Sequence, residues 1–216
     1  MIIVKVIGGL GNQMFCYAYA KALQVRGHDV KIDISECEIK KLHGGYQLDK
    51  YKTDISIATK KEISTILSNS LMKKIFSKIG ILQKNQINEK LLLFDQKLLN
   101  IKDNSYISGY FQSDNYFKNI RSILLNHFLT NNEISDYSKK IKKLIQESEN
   151  SCSLHIRRGD YTNSVNKKIY NTCNPDYYKK ALGYIKEYNE KTDFFIFSDD
   201  INWVKNNLQI KNATYI

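Results

Sequence analysis

Apolar residues along this chain alternate between short runs and longer segments with helical spacing. Residues 2–7 (IIVKVI) form a β-branched run typical of a strand buried on both faces, and residues 29–34 (DVKIDI) predict a second strand. Between them, residues 13–26 carry apolar side chains at helical intervals, and Gly27 is a natural helix C-cap. This order of strand, helix and strand predicts a βαβ unit and therefore a parallel sheet.

The remaining periodic segments continue this pattern. Residues 106–113 predict a strand that runs into a turn, and strands are also predicted at residues 152–156 and 193–197, with the start of another at 213–216. Helices are predicted at residues 115–128, 132–148, 174–188 and 201–208. We therefore expect an α/β protein with parallel sheets and two domains, one of residues 1–145 and one of residues 146–216. We expect the second domain to be truncated, because so few elements bury little apolar surface.

One lysine-rich segment has two interpretations. Residues 63–82 place Ile63, Ile66 and Leu67 on one helical face, and further apolar residues continue that face. The helix either packs on its own domain with lysines outside, which we favour, or makes peripheral contact with an anionic membrane. Residues 35–62 show no regular pattern.

Composition restricts the class of protein. The 216 residues are 42% hydrophobic and 25% charged with a single proline, which is typical of a globular chain. No run approaches the roughly 18 apolar residues that a membrane span needs, and the first strand lacks the features of a signal peptide. The four cysteines form no CxxC motif, so we expect a cytoplasmic protein with reduced thiols and neither a zinc site nor a disulfide framework.

The net charge of +11 indicates either an anionic partner or a lysine-rich surface that favours solubility, and for most lysines we favour solubility. Arginine is rare, which makes the adjacent Arg157 and Arg158 informative. A guanidinium binds two phosphate oxygens at once, whereas lysine offers one point charge. The pair therefore predicts a site for a bidentate anion, with phosphate as the preferred ligand.

Two neighbours of the arginine pair extend this site. Asp160 is placed to orient a guanidinium, and His155 to donate a hydrogen bond to a ribose or a base. The alternative is a surface salt bridge between Arg158 and Asp160, with His155 filling space.

Polar segments follow three predicted strands: Gly8–Asn12, His155–Asp160 and Ser198–Asp200. Ligands of open parallel sheets bind at the carboxyl ends of the strands, so all three are candidate sites. The glycine turn GGLGN allows a ligand close to the backbone, but a plain strand–helix turn fits it equally. A dinucleotide site with Asp33 as the ribose-binding acid is weakened by Met14, which replaces the third glycine of the fingerprint.

The segment Ser198, Asp199 and Asp200 offers a hydroxyl and two carboxylates, which suit guanine or ribose hydroxyls. Ser198 or Asp199 is equally suited to cap the helix at 201–208. No Asp-x-Asp triplet occurs, so no metal–diphosphate site of that type is evident, and paired arginines neutralise a diphosphate without a metal.

The segments GGLGNQMFCYAYAKAL, GYFQS, HIRRGDY and FIFSDDINW resemble, in order and spacing, the bacterial α-1,2-fucosyltransferases of glycosyltransferase family 11. The His-x-Arg-Arg-x-Asp motif is the most specific of these and is matched in full. The resemblance extends over residues 2–216 and implies a GT-B-like fold with two Rossmann-like domains, the second of which binds GDP-fucose. Members of the family continue further, so the resemblance also implies a fragment or a truncated product.

The resemblance implies roles for single residues. Arg157 binds the β-phosphate of GDP, Arg158 binds phosphate or fucose, and His155 with Asp199 or Asp200 recognises guanosine. Donor-binding residues on the glycine turn are Gly9, Gly11 and Asn12, of which Asn12 contacts fucose.

The implied reaction is an inverting transfer of fucose from GDP-β-L-fucose to the 2-hydroxyl of a galactose in a glycan, which in surface polysaccharide synthesis is lipid-linked. It needs no metal or cofactor, and no nucleic acid takes part. Asp160, Glu36 and Asp114 are candidate general bases by residue type alone.

Two alternatives from other classes stay open. The first is a non-catalytic basic module that binds nucleic acid or an anionic membrane, although the sequence has no recognised nucleic-acid motif. The second is an NAD-dependent oxidoreductase, which requires a site at Gly8–Gly11 and Asp33 instead of at Arg157.

Overall fold

The computed structural model describes residues 1–40, 44–67, 85–90, 93–162 and 172–216, apart from the side chains of Lys40 and Asp160. The chain divides into two compact units, Met1–Glu133 and Ile134–Ile216. This division precedes the predicted boundary of 145/146 by about one helix, since residues 136–147 are helical and fall in the second unit.

The first unit contains a four-stranded, fully parallel sheet in the order β2-β1-β4-β3. Its strands are β1 (Ile2–Lys5), β2 (Val30–Asp33), β3 (Gln86–Asn88) and β4 (Ser105–Ser108). Its helices are α1 (Leu10–Val25), α2 (Ser35–Lys40), α3 (residues 60–67) and α4 (Arg121–His127). The predicted βαβ unit is therefore β1-α1-β2, whereas β3 and α2 were not predicted.

Strand β1 is buried on both faces, as its apolar run predicts. Ile2 and Val4 belong to the core that includes α1, whereas Ile3 packs with Ala58 and Ile66 on the other face. Residues 63–67 thus pack on the sheet, in line with the favoured interpretation of that segment. The rest of segment 63–82 lies outside the described residues.

The bounds of α1 and α4 differ from the predicted ones for structural reasons. Helix α1 begins at Leu10 instead of residue 13, because Gly9 serves as N-cap in an extended conformation and the chain turns before it. The segment predicted as helix 115–128 forms two 3₁₀ turns before α4 begins at Arg121. Tyr116 explains this break, because its buried ring packs against Tyr19 and its hydroxyl accepts a hydrogen bond from Asp95 N at 2.9 Å.

The second unit contains a parallel sheet in the order β5-β6-β7, formed by β5 (Ser151–Ile156), β6 (Asp193–Ser198) and β7 (Ala213–Tyr215). Its helices are α5 (Asp136–Glu147), α6 (Pro175–Tyr188) and α7 (Ile201–Asn207). Its core joins Phe194 and Ile196 of β6 with Leu182 of α6 and Val204 of α7. Among the described residues, no helix is long and apolar enough to cross a membrane.

Candidate functional site

Two of the predicted motifs lie side by side in the second unit. Strands β5 and β6 run parallel with Ile156 opposite Ser198, so both end at the same level of the sheet. The arginine pair follows β5 and the aspartate pair follows β6. Their side chains therefore meet at the carboxyl edge, where open α/β sheets bind ligands.

Each arginine is paired with one aspartate. Arg157 Nε lies 3.3 Å from Asp199 Oδ2, and Arg158 Nε lies 3.2 Å from Asp200 Oδ2. The backbone N–H of Arg158 also donates to Asp199 Oδ1 at 2.8 Å, which fixes the turn between the arginines. The partner of Arg158 is thus Asp200, while the side chain of Asp160 lies outside the described part of the chain.

An aromatic ring also packs against each guanidinium group. The guanidinium carbon of Arg158 lies 3.8 Å from the ring centre of Trp203, and that of Arg157 lies 5.4 Å from the ring centre of Tyr161. The Arg158 side chain is 19% exposed and that of Arg157 is 44% exposed. Arg158 is therefore fixed between a carboxylate and an indole ring, and Arg157 presents more of its surface to solvent.

Sequence reasoning did not identify Trp203 as a site residue, although a signal was present. Trp203 is the only tryptophan and lies three residues after Asp200, which is about one helical turn. That spacing places its ring on the same side as the carboxylate that holds Arg158.

Residues 198–200 also stabilise the local structure. Asp200 is the N-cap of α7, since its Oδ1 accepts from Trp203 N at 3.1 Å. The prediction that Ser198 or Asp199 caps this helix is therefore wrong. Ser198 Oγ donates to Ile156 O at 2.7 Å and accepts from Asp200 N at 3.0 Å, so its one proton is used within the sheet.

Gly159 permits the close approach of the two motifs. A Cβ atom built at this position would lie 2.5 Å from Asp199 Oδ2, closer than real Cβ contacts. His155 is exposed on β5 and lies opposite Phe197 in the register. It has no hydrogen-bond partner among the described residues.

In the first unit, the glycine turn is shorter than predicted. Gly8 has a φ of +77°, and a Cβ atom there would lie 2.6 Å from Asn12 Nδ2. Gly11 and Asn12 belong to the first turn of α1. Asn12 Oδ1 accepts a hydrogen bond from Gln112 Nε2 at 2.7 Å, so the end of β1 and the turn after β4 are joined at this edge.

Gln13 was missed by sequence reasoning. Its side chain is fully buried, and its Nε2 donates to Gly8 O at 2.9 Å and to Gly45 O at 2.8 Å. Its Oε1 accepts from Gln47 N at 3.0 Å. The only available signal was a polar residue on the buried face of α1, and its partners come from a segment without a regular pattern.

Asp33 is not available as a ribose-binding acid. It is 2% exposed, and its Oδ2 accepts from the Tyr106 hydroxyl at 2.6 Å while its Oδ1 accepts from Ser35 N at 2.9 Å. Burial, together with the hydrogen bond to this carboxylate, raises the pKa of Tyr106 well above its ordinary value. The oxidoreductase interpretation therefore lacks its required group.

Replacing Asp33 with alanine is expected to lower stability by about 1–3 kcal/mol, because the Tyr106 hydroxyl loses a buried acceptor. GDP binding should stay within about threefold of the wild type when both are compared by calorimetry and urea unfolding. An NAD-dependent protein would show the opposite result, with NAD binding lost and stability retained.

Two of the three candidate bases find no support in the geometry, since Glu36 Oε2 is paired with Lys5 Nζ at 2.5 Å and Asp114 is exposed in a 3₁₀ turn. The Asp160 side chain lies outside the described part, so its role as base stays a prediction. Within that part, no three His, Cys, Asp or Glu side chains are grouped so that they could hold a metal ion. The metal-independent reaction stays a prediction.

Comparison with known proteins identifies the family of this chain. The family model described as glycosyl transferase family 11 matches residues 1–216. An alpha-1,2-colitosyltransferase of Escherichia coli is 34% identical over 211 residues, covering 95% of this chain and 71% of that protein. The O-antigen biosynthesis glycosyltransferase WbnK of Escherichia coli is 31% identical over 229 aligned positions, covering 97% of this chain and 76% of that protein.

A solved structure is also similar. The structure of NodZ alpha-1,6-fucosyltransferase soaked with GDP-fucose matches 100% of this chain and 76% of that chain, with a TM-score of 0.51 and 11% identity. At this identity the match carries the fold alone. The prediction of an α/β, GT-B-like fold with parallel sheets is confirmed.

Proposed function

This chain belongs to glycosyltransferase family 11, and from that premise we propose that it transfers fucose from GDP-β-L-fucose to the 2-hydroxyl of a galactose. Glycosyltransferase activity follows from the family, whereas the donor, the linkage and the acceptor are our proposal. The observation that carries the proposal is the arginine pair held against two aspartates at the ends of β5 and β6.

The chemistry of the leaving group explains why this arrangement suits catalysis. As the bond from the sugar to the diphosphate breaks, positive charge grows on the sugar ring and negative charge grows on GDP. Guanidinium groups that bind the departing diphosphate more tightly than the intact donor lower the barrier. Because the pairs with Asp199 and Asp200 fix both arginines beforehand, little reorganisation is needed during the reaction.

The geometry suggests which part of the donor each side chain binds. We assign the more exposed Arg157 to the β-phosphate, and the stacked Arg158 to phosphate or fucose. The exposed His155, together with Asp199 or Asp200, is assigned to guanosine. In the first unit, the donor-binding assignments of Gly9, Gly11 and Asn12 rest on the family resemblance, and Asn12 also has a side-chain donor without a partner in the described residues.

The names of the relatives support the linkage and suggest a second donor. One relative is an alpha-1,2-colitosyltransferase and another acts in O-antigen biosynthesis, so we propose a galactose-containing glycan of the surface-polysaccharide class as acceptor. Colitose is fucose without its 3-hydroxyl group, which makes GDP-colitose the specific competitor. A site that hydrogen-bonds a substrate hydroxyl rejects the deoxy analogue by up to about 10⁴-fold, whereas an apolar site discriminates only about 10²-fold.

The first test is thermal stability with GDP, GDP-fucose, ATP and NAD. A ligand at a hundred times its Kd stabilises the fold by about 2.7 kcal/mol, which corresponds to about 5–10 °C for a chain of this size. We expect GDP and GDP-fucose to give this shift and ATP and NAD to give none. A shift by every polyanion that disappears in salt would instead indicate a basic binding module.

The second test measures transfer from GDP-fucose and GDP-colitose to a panel of galactosides, with the linkage determined by NMR. An α-1,2-linked fucosyl product, formed with at least tenfold higher kcat/KM than the colitosyl product, supports the proposal. Preferred transfer of colitose, or linkage to another hydroxyl, contradicts it.

A further inference from the structure

Glu89 holds the turn that follows β4. It comes directly after β3, and its Oε2 accepts from Tyr110 N at 2.7 Å and from Phe111 N at 3.0 Å. Two backbone donors on one carboxylate oxygen fix the path of the chain beyond Ser108, the last residue of β4.

The turn at residues 109–111 is strained and packs closely against the Glu89 side chain. Phe111 has a φ of +52°, which is unusual for a residue with a side chain, and its buried ring stacks on Tyr19 at 3.9 Å. A Cβ atom at Gly109 would lie 2.5 Å from Glu89 Cβ. Cys16 Sγ donates to Gly109 O at 3.4 Å, and burial raises the pKa of this thiol to about 12, so it remains a neutral donor. Such strain persists only where the surroundings enforce it.

The turn ends at Gln112, whose Nε2 donates to Asn12 Oδ1 at 2.7 Å. This bond sets the orientation of the Asn12 amide, because its oxygen faces Gln112 and its Nδ2 faces away. Gly8 leaves room for that Nδ2 by lacking a Cβ atom. Among the described residues Nδ2 has no acceptor, so an oriented donor is presented at the carboxyl edge of the sheet.

Glu89 itself cannot act as a base. Its Oε2 is engaged by two backbone donors, and its Oε1 is enclosed and has no hydrogen-bond partner among the described residues. A carboxylate oxygen sealed from solvent has no path to the hydroxyl of an acceptor. Its contribution is therefore to the position of the turn and not to proton transfer.

We infer that Glu89 is a positioning residue that acts through the turn and Gln112 to orient the Asn12 amide toward the substrate. The inference rests on the proposed function, because it takes Asn12 as a substrate contact. The inference also accounts for Glu89 Oε1, which has no hydrogen-bond partner among the described residues. A buried carboxylate oxygen without a partner is a costly way to hold a turn unless the resulting geometry is used.

The test compares four variants in the full chain by kcat and KM for GDP release from GDP-fucose in the presence of a galactoside. Glu89→Gln keeps an acceptor oxygen for the two backbone donors, so kcat should stay within about threefold. Glu89→Leu removes the acceptor, and Gln112→Ala removes the link to Asn12. A misplacement of about 1 Å costs up to about 10²-fold, so both should lower kcat by about 10- to 100-fold with little change in KM.

The fourth variant, Asn12→Ala, closes a double-mutant cycle. In its background neither Glu89→Leu nor Gln112→Ala should lower kcat further, because the group that they orient is gone. Asn115→Ala, an exposed change just beyond the turn, should match the wild type. If Glu89→Leu does not fold, Gln112→Ala tests the inference by itself, because the Gln112 side chain is exposed and its removal should leave the fold intact.

Three results overturn the inference. The first is a Glu89→Gln variant as inactive as Glu89→Leu, which would show that the charge itself is needed. The second is an Asn12→Ala variant with wild-type kcat, and the third is a loss from Glu89→Leu or Gln112→Ala that persists in the Asn12→Ala background. Arg157→Ala, measured alongside, separates these failures from a failure of the proposed function: if it is inactive while Asn12→Ala is active, the fucosyltransferase proposal stands and only the role of Glu89 falls.

Discussion

The Arg157→Ala variant is expected to lose about 10³-fold in kcat/KM for GDP-fucose while its melting temperature without ligand stays within about 2 °C of the wild type. A charged donor aimed at a developing oxyanion is worth about 10²–10³-fold, and the bidentate grip on a diphosphate lies at the upper end of this range. The fold should tolerate the change because Arg157 is 44% exposed and Asp199 keeps the hydrogen bond from Arg158 N.

Arg157→Lys tests the physical origin of this loss. A lysine retains the charge but not the planar fork, so we expect it to recover less than a tenth of the lost activity. Arg121→Ala is the matched control, because Arg121 is exposed in the first unit and outside the site. If Arg157→Lys were as active as the wild type, charge alone would suffice and bidentate binding of the diphosphate by Arg157 would not be required. If Arg157→Ala stayed within tenfold, the assignment of this site to the diphosphate would be wrong.

The sequence predicted most of the helices and strands, and also the sheet edge on which the arginines lie, because these depend on local periodicity. A strand followed by Arg157 and another followed by Asp199 place these residues together once the sheet is parallel and its register is known. The start of α6 also has a local signal, because Asn174 precedes Pro175 and its side chain accepts a hydrogen bond from Tyr177 N at 2.9 Å.

What the sequence did not predict depends on contacts between distant segments. Glu89 follows a strand of three residues that is too short for a period, and its role depends on a turn more than 20 residues away. Trp203 was visible as a helix residue, but its contact with Arg158 requires the β5–β6 register. The observed boundary between the two units differs from the predicted one for a similar reason. Ser148 Oγ donates to Asp193 Oδ2 at 2.7 Å and so joins the end of α5 to β6, and the local sequence carries no signal for this contact.

Replacing Gln13 with leucine is expected to cause the largest loss of stability among the variants considered. Leucine fills nearly the same volume, but Gly8 O, Gly45 O and Gln47 N would lose their side-chain partner. Each buried group left unpaired costs about 1–3 kcal/mol, so the free energy of unfolding should fall by roughly 3–9 kcal/mol. Typical domains have about 5–15 kcal/mol in total, and the melting temperature should therefore fall by 10 °C or more.

Gln13→Glu separates the loss of donors from a change of shape. Glutamate can still accept a hydrogen bond from Gln47 N. Its second oxygen, however, is an acceptor that faces the carbonyls of Gly8 and Gly45, which now accept from the amide nitrogen. Burial of the negative charge lowers the stability further. Gln13→Glu should destabilise the fold at least as much as Gln13→Leu at neutral pH, and its stability should recover in part as the pH falls and the carboxyl becomes a donor.

Gln96→Leu, the same exchange as Gln13→Leu at an exposed position of the first unit, should stay within about 0.5 kcal/mol of the wild type in urea unfolding. Equal urea midpoints for Gln13→Leu and Gln96→Leu would mean that the glycine turn after β1 is held by the backbone alone. In that case the buried amide would not be what links this turn to the segment around Gly45.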